Sequence, residues 1–194
     1  MDKNVKPQPN KSELRRTFLQ KRRLLSVEEW RENSDRLCHN LRSLPLLTQA
    51  KTILAYFSFR QEPDLSPLFT DSQWHWGFSR CVEKSLIWHR WMPEEPLAKG
   101  NYGIFEPHPD SPVLMPHEVD LILVPAVACD ARGYRLGYGG GFYDRLLSSA
   151  DWSSKPTIGI VFEFAYLPQL PVDPWDKPLH SICTEDRFQV SDTP

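Results

Sequence analysis

Between Arg135 and Asp144 the chain reads RLGYGGGFYD. Glycines at 137, 139, 140 and 141 strip side chains from a short stretch of backbone, and a carboxylate, Asp144, follows close behind. Successive glycines permit positive φ and let backbone N–H groups converge on an anion. A helix beginning at the end of such a loop favours phosphate further. Arg135 adds a cation, and Asp144 could hold a divalent cation on the same phosphate. The plainer alternative is a tight strand-to-helix turn with Asp144 as a capping residue. Two common phosphate motifs do not fit. A P-loop needs lysine and a hydroxyl residue after its last glycine, where Phe142 and Tyr143 stand. A dinucleotide fingerprint needs a glycine at its sixth position, which is Phe142 or Asp144 here.

A loop of this kind must be held by a frame. Asn10 with Glu13, and Ser26 with Glu29, form capping-box signals. They predict a basic helix from Lys11 to about Leu25 and a second helix to about Leu44. Trp30, Leu37, Leu41 and Leu44 give the second helix one apolar stripe. TILAYFSF, from Thr52, reads as a buried strand, and PDLSPLF as a loop with a short helix. GFSRCV and LIWHRWMP alternate like strands. DLILVPAVACD, from Asp120 to Asp130, predicts one long central strand, and TIGIVF another. A helix is expected from about Gly140 to Ser149. Strands alternating with helices predict an α/β fold: a single three-layer domain with a mostly parallel central sheet covered by helices on both faces. Ligands bind beyond the carboxyl ends of strands in such sheets, where the glycine loop falls. Residues 1–9 are expected to be a flexible tail, and 10–194 one domain.

Composition narrows the possible partners. The chain has 194 residues and a net charge of −2, which gives no electrostatic footprint for nucleic acid. Its four cysteines form no CxxC pair, so they predict free thiols in a reducing compartment rather than a zinc site or disulfide framework. The polar start and the brevity of the longest apolar run, Leu121 to Ala128, argue against a signal peptide or membrane span. A cytoplasmic monomer with no membrane partner is expected.

The segment DLILVPAVACDARGYRLGYGGGFYDRLL closely resembles the signature of the 5-formyltetrahydrofolate cyclo-ligase family, in which R-L-G-x-G-x-G-x-Y-D follows a hydrophobic strand. KSELRRTFLQKRR resembles the family's basic first helix, AYFSFRQEPDLSPL its first strand and folate-contacting glutamate segment, YGIFEP its mid-chain proline motif and LPVDPWDKPLHSICTED its C-terminal segment. These matches run in order over residues 11–186. The resemblance implies an ATP-dependent ring closure. The formyl oxygen of 5-formyltetrahydrofolate attacks the γ-phosphate of ATP, and the neighbouring nitrogen then displaces phosphate to leave 5,10-methenyltetrahydrofolate.

On that resemblance Lys11, Arg15 and Arg135 are the catalytic cations, placed on ATP phosphates. Lys11 and Arg15 are four apart and share a helix face, which suits charge stabilisation of a transferring phosphoryl group. Without it they read as part of a solvated basic helix, as Arg22 and Arg23 do. ATP contacts are further expected from Leu136, Gly137, Tyr138, Gly139, Gly140, Gly141, Phe142 and Tyr143. Folate contacts are expected from Phe57, Glu62, Tyr138, Gly139, Gly140, Gly141 and Phe142. A carboxylate at Glu62 accepts well from the N–H edge of a pterin; otherwise it is a loop acid, and Phe57 plain core. Mg²⁺ is expected on Asp144 and Asp176, with Asp173 close enough to be confused with the latter. Tyr138 and Gly140 stand where some relatives carry basic residues, and Phe142 replaces a common tyrosine. Two rival readings are a ligand-sensing descendant without catalysis, and another α/β enzyme for a sugar phosphate or coenzyme A substrate.

Overall fold

A computed structural model describes residues 10–192; the tail expected at 1–9 lies outside them. Both capping boxes form. Asn10 opens α1, Lys11–Arg23, and Ser26 opens α2, Val27–Arg42. Pro45 sits at the first turn of a one-turn helix, α3, Pro45–Thr48, where its missing N–H leaves no helical bond unmade. The chain continues through β1, Thr52–Ala55, and α4, Ser66–Phe69, to the hairpin of β2, His75–Val82, and β3, Ser85–Trp91. A small ribbon follows, β4, Leu97–Lys99, against β5, Phe105–Pro107.

The long strand expected from Asp120 to Asp130 is two strands. β6, Leu121–Pro125, lies in the main sheet, and β7, Ala128–Asp130, lies in a separate one. Pro125 lacks the N–H that would continue the ladder, and the chain turns there into a second layer. β8, Arg135–Leu136, pairs antiparallel with β7 and leads into α5, Phe142–Ser148. The chain ends with β9, Thr157–Ile160, β10, Tyr166–Leu167, β11, Ser181–Cys183, and β12, Phe188–Val190.

Seven strands form the main sheet in the order β12-β11-β9-β6-β1-β2-β3. The four pairings from β11 to β2 are parallel, and the two edge pairings are antiparallel. Parallel strands are buried on both faces, and alternate residues show it. Ile53, Ala55, Leu121 and Leu123 join the core under α2, α3 and α4. Leu54, Ile122 and Val124 join the core under α1 and α5, with Phe18, Leu146 and Leu147. The expected α/β sandwich is therefore present, with helices on both faces. β7, β8 and β10 form the three-stranded sheet that carries the glycine loop past the carboxyl ends of β1 and β6.

Candidate active site

The glycine loop is anchored at both ends. Arg135, with a nearly buried side chain, donates to the Lys177 carbonyl at 2.6 Å and to Asp144 at 2.6 Å. Arg15 donates from Nε to the Gly137 carbonyl at 2.7 Å, which ties α1 to the loop. Two of the glycines are required by backbone shape: Gly139 has φ +102° and Gly141 has φ +66°. Gly141 also precedes the first residue of α5, which has no side-chain cap. Gly137 differs from both. Its φ is not left-handed, and a Cβ built there meets nothing within 4 Å. Asp144 lies inside α5 and pairs with Arg135, so it is not a capping residue.

On one side of the loop lies a polar cavity of about 640 Å³, lined by Lys11, Arg15, Arg135, Asp144, Asp173 and Asp176 together with the loop backbone. Lys11 reaches both Asp173, at 2.6 Å, and Asp176. Burial pulls the Lys11 ammonium down, but hydrogen bonds to Asp173 and Asp176 outweigh it, and the pKa ends above its ordinary value. Asp176 also accepts from the Asp173 amide at 2.7 Å. Thus the cavity's acids and two of its cations are held as ion pairs. Among the described residues no group of three or more His, Cys, Asp or Glu is arranged to hold a metal ion. Asp144 and Asp176 nevertheless face one cavity, and magnesium is commonly held by one or two carboxylates plus phosphate oxygens and water. The donor set of Asp144 and Asp176 fits a divalent cation that takes its remaining oxygen ligands from elsewhere.

On the other side lies a cavity of about 370 Å³ with an aromatic lining. Phe57 stacks on Phe78 with ring centroids 4.0 Å apart, so it belongs to the core and lines the cavity as well. Glu62 is buried at 4% exposure. Its carboxylate accepts from the Phe59 amide at 3.1 Å and lies 3.9 Å from Arg22. Burial pushes the Glu62 carboxyl up, and Arg22, the Phe59 amide, Tyr138 and Arg60 pull it back, to about 7. Burial and the Glu62 charge raise the Tyr138 hydroxyl, which accepts from Arg22 at 3.1 Å.

The loop divides its residues between the two sides. Gly137, Gly140 and Gly141 face both cavities, whereas Leu136 and Gly139 line only the polar one. Tyr138, Phe142 and Tyr143, expected at ATP, line only the aromatic one. Large apolar rings settle on the drier side. Arg135 and Asp144 border both spaces.

Arg22 corrects the expectation of a solvated basic helix. It is 1% exposed, donates to the Ala126 carbonyl at 2.6 Å, and joins Glu62 to Tyr138. Arg23 remains exposed, as expected. A signal was available: Arg22 lies seven residues after Arg15, so Lys11, Arg15 and Arg22 share a helix face. Of the cysteines, Cys38, Cys129 and Cys183 are buried free thiols raised by burial to about 12. Cys81 is only partly covered.

Comparison with known proteins places the chain. The chain is 34% identical over 144 residues to the 5-formyltetrahydrofolate cyclo-ligase of Haemophilus influenzae, covering 69% of this chain and 75% of that one. It is 30% identical over 176 residues to the Escherichia coli K12 enzyme of the same name, covering 87% and 96%. The NMR structure of Aquifex aeolicus 5,10-methenyltetrahydrofolate synthetase superposes with a TM-score of 0.84 at 35% identity, covering 95% of this chain and 94% of that one. The model of the 5-formyltetrahydrofolate cyclo-ligase family matches residues 7–185, and the chain belongs to that family of ligases.

Proposed function

We propose that the protein couples ATP hydrolysis to ring closure, converting 5-formyltetrahydrofolate to 5,10-methenyltetrahydrofolate with release of ADP and phosphate, as a cytoplasmic monomer. The observation that carries this reading is the shared wall: one glycine loop separates a cation-rich cavity from an aromatic one. A phosphoryl group transferred directly needs its donor and acceptor in contact. The two cavities adjoin at residues that line both, Arg135, Gly137, Gly140, Gly141 and Asp144, and a loop bare of side chains lets two ligands approach each other there. No helix among the described residues is long and apolar enough to cross a membrane.

In this reading Lys11, Arg15 and Arg135 hold the triphosphate and stabilise the charge that spreads over the γ-phosphoryl oxygens. Glu62 accepts from the pterin N–H edge, and Phe57, Tyr138 and Phe142 pack on the ring. The formyl oxygen attacks the γ-phosphorus, the bond to the bridging oxygen breaks, and ADP leaves. The folate's neighbouring nitrogen then attacks the imidate carbon, gives up its proton, and the carbon–oxygen bond breaks to release phosphate. Asp144 and Asp176 are the residues that would hold Mg²⁺, which neutralises phosphate charge when bound. The chain's own part is positioning and charge, and no protein nucleophile is required.

The test mixes purified protein, 5-formyltetrahydrofolate and Mg-ATP. Methenyl-folate absorbance should grow in step with ADP. Binding of both ligands without that band would instead identify a sensor that has lost catalysis.

A further inference from the structure

Four charged side chains line the aromatic cavity: Arg60, Glu62, Arg135 and Asp144. Three are already matched, Glu62 by Arg22 and Arg135 by Asp144. Arg60 is not: among the described residues its guanidinium makes no ion pair and no hydrogen bond, and the residue is exposed, so it stands at the rim. It lies over the Phe59 ring at 4.8 Å and the Tyr138 ring at 5.9 Å. Stacking uses the face of a guanidinium and leaves its in-plane N–H donors free. A carboxylate is the group that such a fork fits best.

The backbone beneath is unusual. Arg60 has φ +50° and Gln61 φ +56°, two adjacent left-handed residues without a glycine between them. Such conformations persist where surrounding structure forces them, commonly at binding sites. Here the turn is closed by the Glu62 amide on the Phe59 carbonyl at 3.1 Å, the Phe59 amide on the Glu62 carboxylate at 3.1 Å, and Ser58 Oγ on the Glu62 carbonyl at 2.8 Å. Its effect is to send Glu62 into the cavity floor and Arg60 to the cavity mouth, two residues apart. Arg60 lines the aromatic cavity alone and has no place in the polar one, so its free charge does not serve the phosphates.

We propose that Arg60 binds the carboxylates of the substrate's glutamate tail and so sets a preference for glutamylated folates. This rests on the folate reading of the aromatic cavity. A reduced folate carries a donor edge, a flat ring system and an anionic tail, in that order. The cavity offers a buried carboxylate, aromatic rings and an unmatched cation at the mouth, in the same order.

The experiment compares 5-formyltetrahydrofolate with 5-formyltetrahydropteroate, which lacks the glutamate, in both binding and turnover. The variants are Arg60→Asn, because asparagine tolerates left-handed backbone, and Arg60→Lys. For the parent, loss of the glutamate should weaken binding roughly tenfold, as for one charge-assisted contact. Arg60→Asn should raise KM for the glutamylated substrate by a similar factor at unchanged kcat, and leave the pteroate unaffected. Arg60→Lys should recover part of the difference. Equal losses on both substrates, or parental affinity of Arg60→Asn for the glutamylated one, overturn the proposal. A parent that binds both folates with the expected Arg60 dependence yet forms no methenyl product would preserve the tail site and sink the cyclisation. A parent that binds neither folate would sink both.

Discussion

The two cavities share a wall and follow opposite rules. The polar cavity is balanced with its own charges: Lys11 on Asp173 and Asp176, and Arg135 on Asp144. Those pairs hold cations and carboxylates in place, and on the proposed reading each is exchanged for a phosphate or its cation when ATP binds. The aromatic cavity instead buries one carboxylate, Glu62, against one buried arginine and rings that also belong to the core. Its specificity is set by dielectric and shape. Damage to the first cavity should therefore appear in the use of ATP, in its KM or in the rate, and damage to the second in folate affinity and its pH dependence.

The largest effect is expected at Asp144, which serves the polar cavity and holds Arg135. Asp144→Asn keeps an acceptor for Arg135, so the fold should survive, while loss of the charge should lower kcat by roughly 10³-fold. A near-parental rate at low magnesium would remove Asp144 from the metal assignment. Next come the helix cations. Lys11→Ala and Arg15→Ala should each lower ATP-dependent turnover roughly 10²-fold, and Arg23→Ala should leave it unchanged. Equal damage from Arg23→Ala would point to helix stability as the cause of all three.

What could be read from the chain divides along the same line. The polar cavity depends on local spacing: the R-L-G-x-G-x-G run, the i, i+4 pair on α1 and Asp144 all lie in short motifs. The capping boxes at Asn10 and Ser26 likewise act within a few residues, and both helices begin where expected. The aromatic cavity depends on pairings distant in sequence. Arg22 meets Glu62 and Ala126 only after α1 packs across the sheet, so the helix face it shares with Lys11 and Arg15 is its one local trace, and its partners are not legible. The break at Pro125 was visible as a proline, but its consequence, a second sheet, depends on where β8 and β10 return. Phe57 is core and cavity wall at once, a distinction that composition alone does not make.

The glycines sharpen the comparison further. Gly139→Ala and Gly141→Ala force a side chain into left-handed backbone, so thermal stability should fall even without ligand. These two therefore separate poorly a phosphate cradle from a required turn. Gly137→Ala separates them, because the added methyl meets nothing in the free protein. Its melting temperature should stay at the parental value, while KM for ATP rises roughly 10- to 30-fold through obstruction of the bound phosphates. Unchanged ATP kinetics in a stable Gly137→Ala protein would mean that no phosphate lies against that backbone.

The smallest expected effect belongs to Glu62 and is spread over pH. Its carboxyl titrates near 7 in the folded protein, because burial raises it further than Arg22, the Phe59 amide, Tyr138 and Arg60 lower it. If the pterin edge requires the carboxylate, KM for the folate should fall about tenfold between pH 6 and 8, as the ionised fraction climbs from about a tenth to about nine-tenths. Stability should move the other way. A carboxyl raised on folding contributes fully below its unfolded value, near 4.5, and that contribution is lost as pH rises through about 7. Glu62→Gln should flatten both curves, holding KM at its low-pH value and removing this part of the stability loss. Arg22 lies beside the carboxylate, so Arg22→Met should shift the KM curve to higher pH, a change that simple loss of packing does not produce. Melting temperatures and folate KM values from pH 5.5 to 8.5 on the three proteins provide the check. A stability slope in the parent with a flat KM would show that Glu62 supports the turn at Phe59 without contacting the folate.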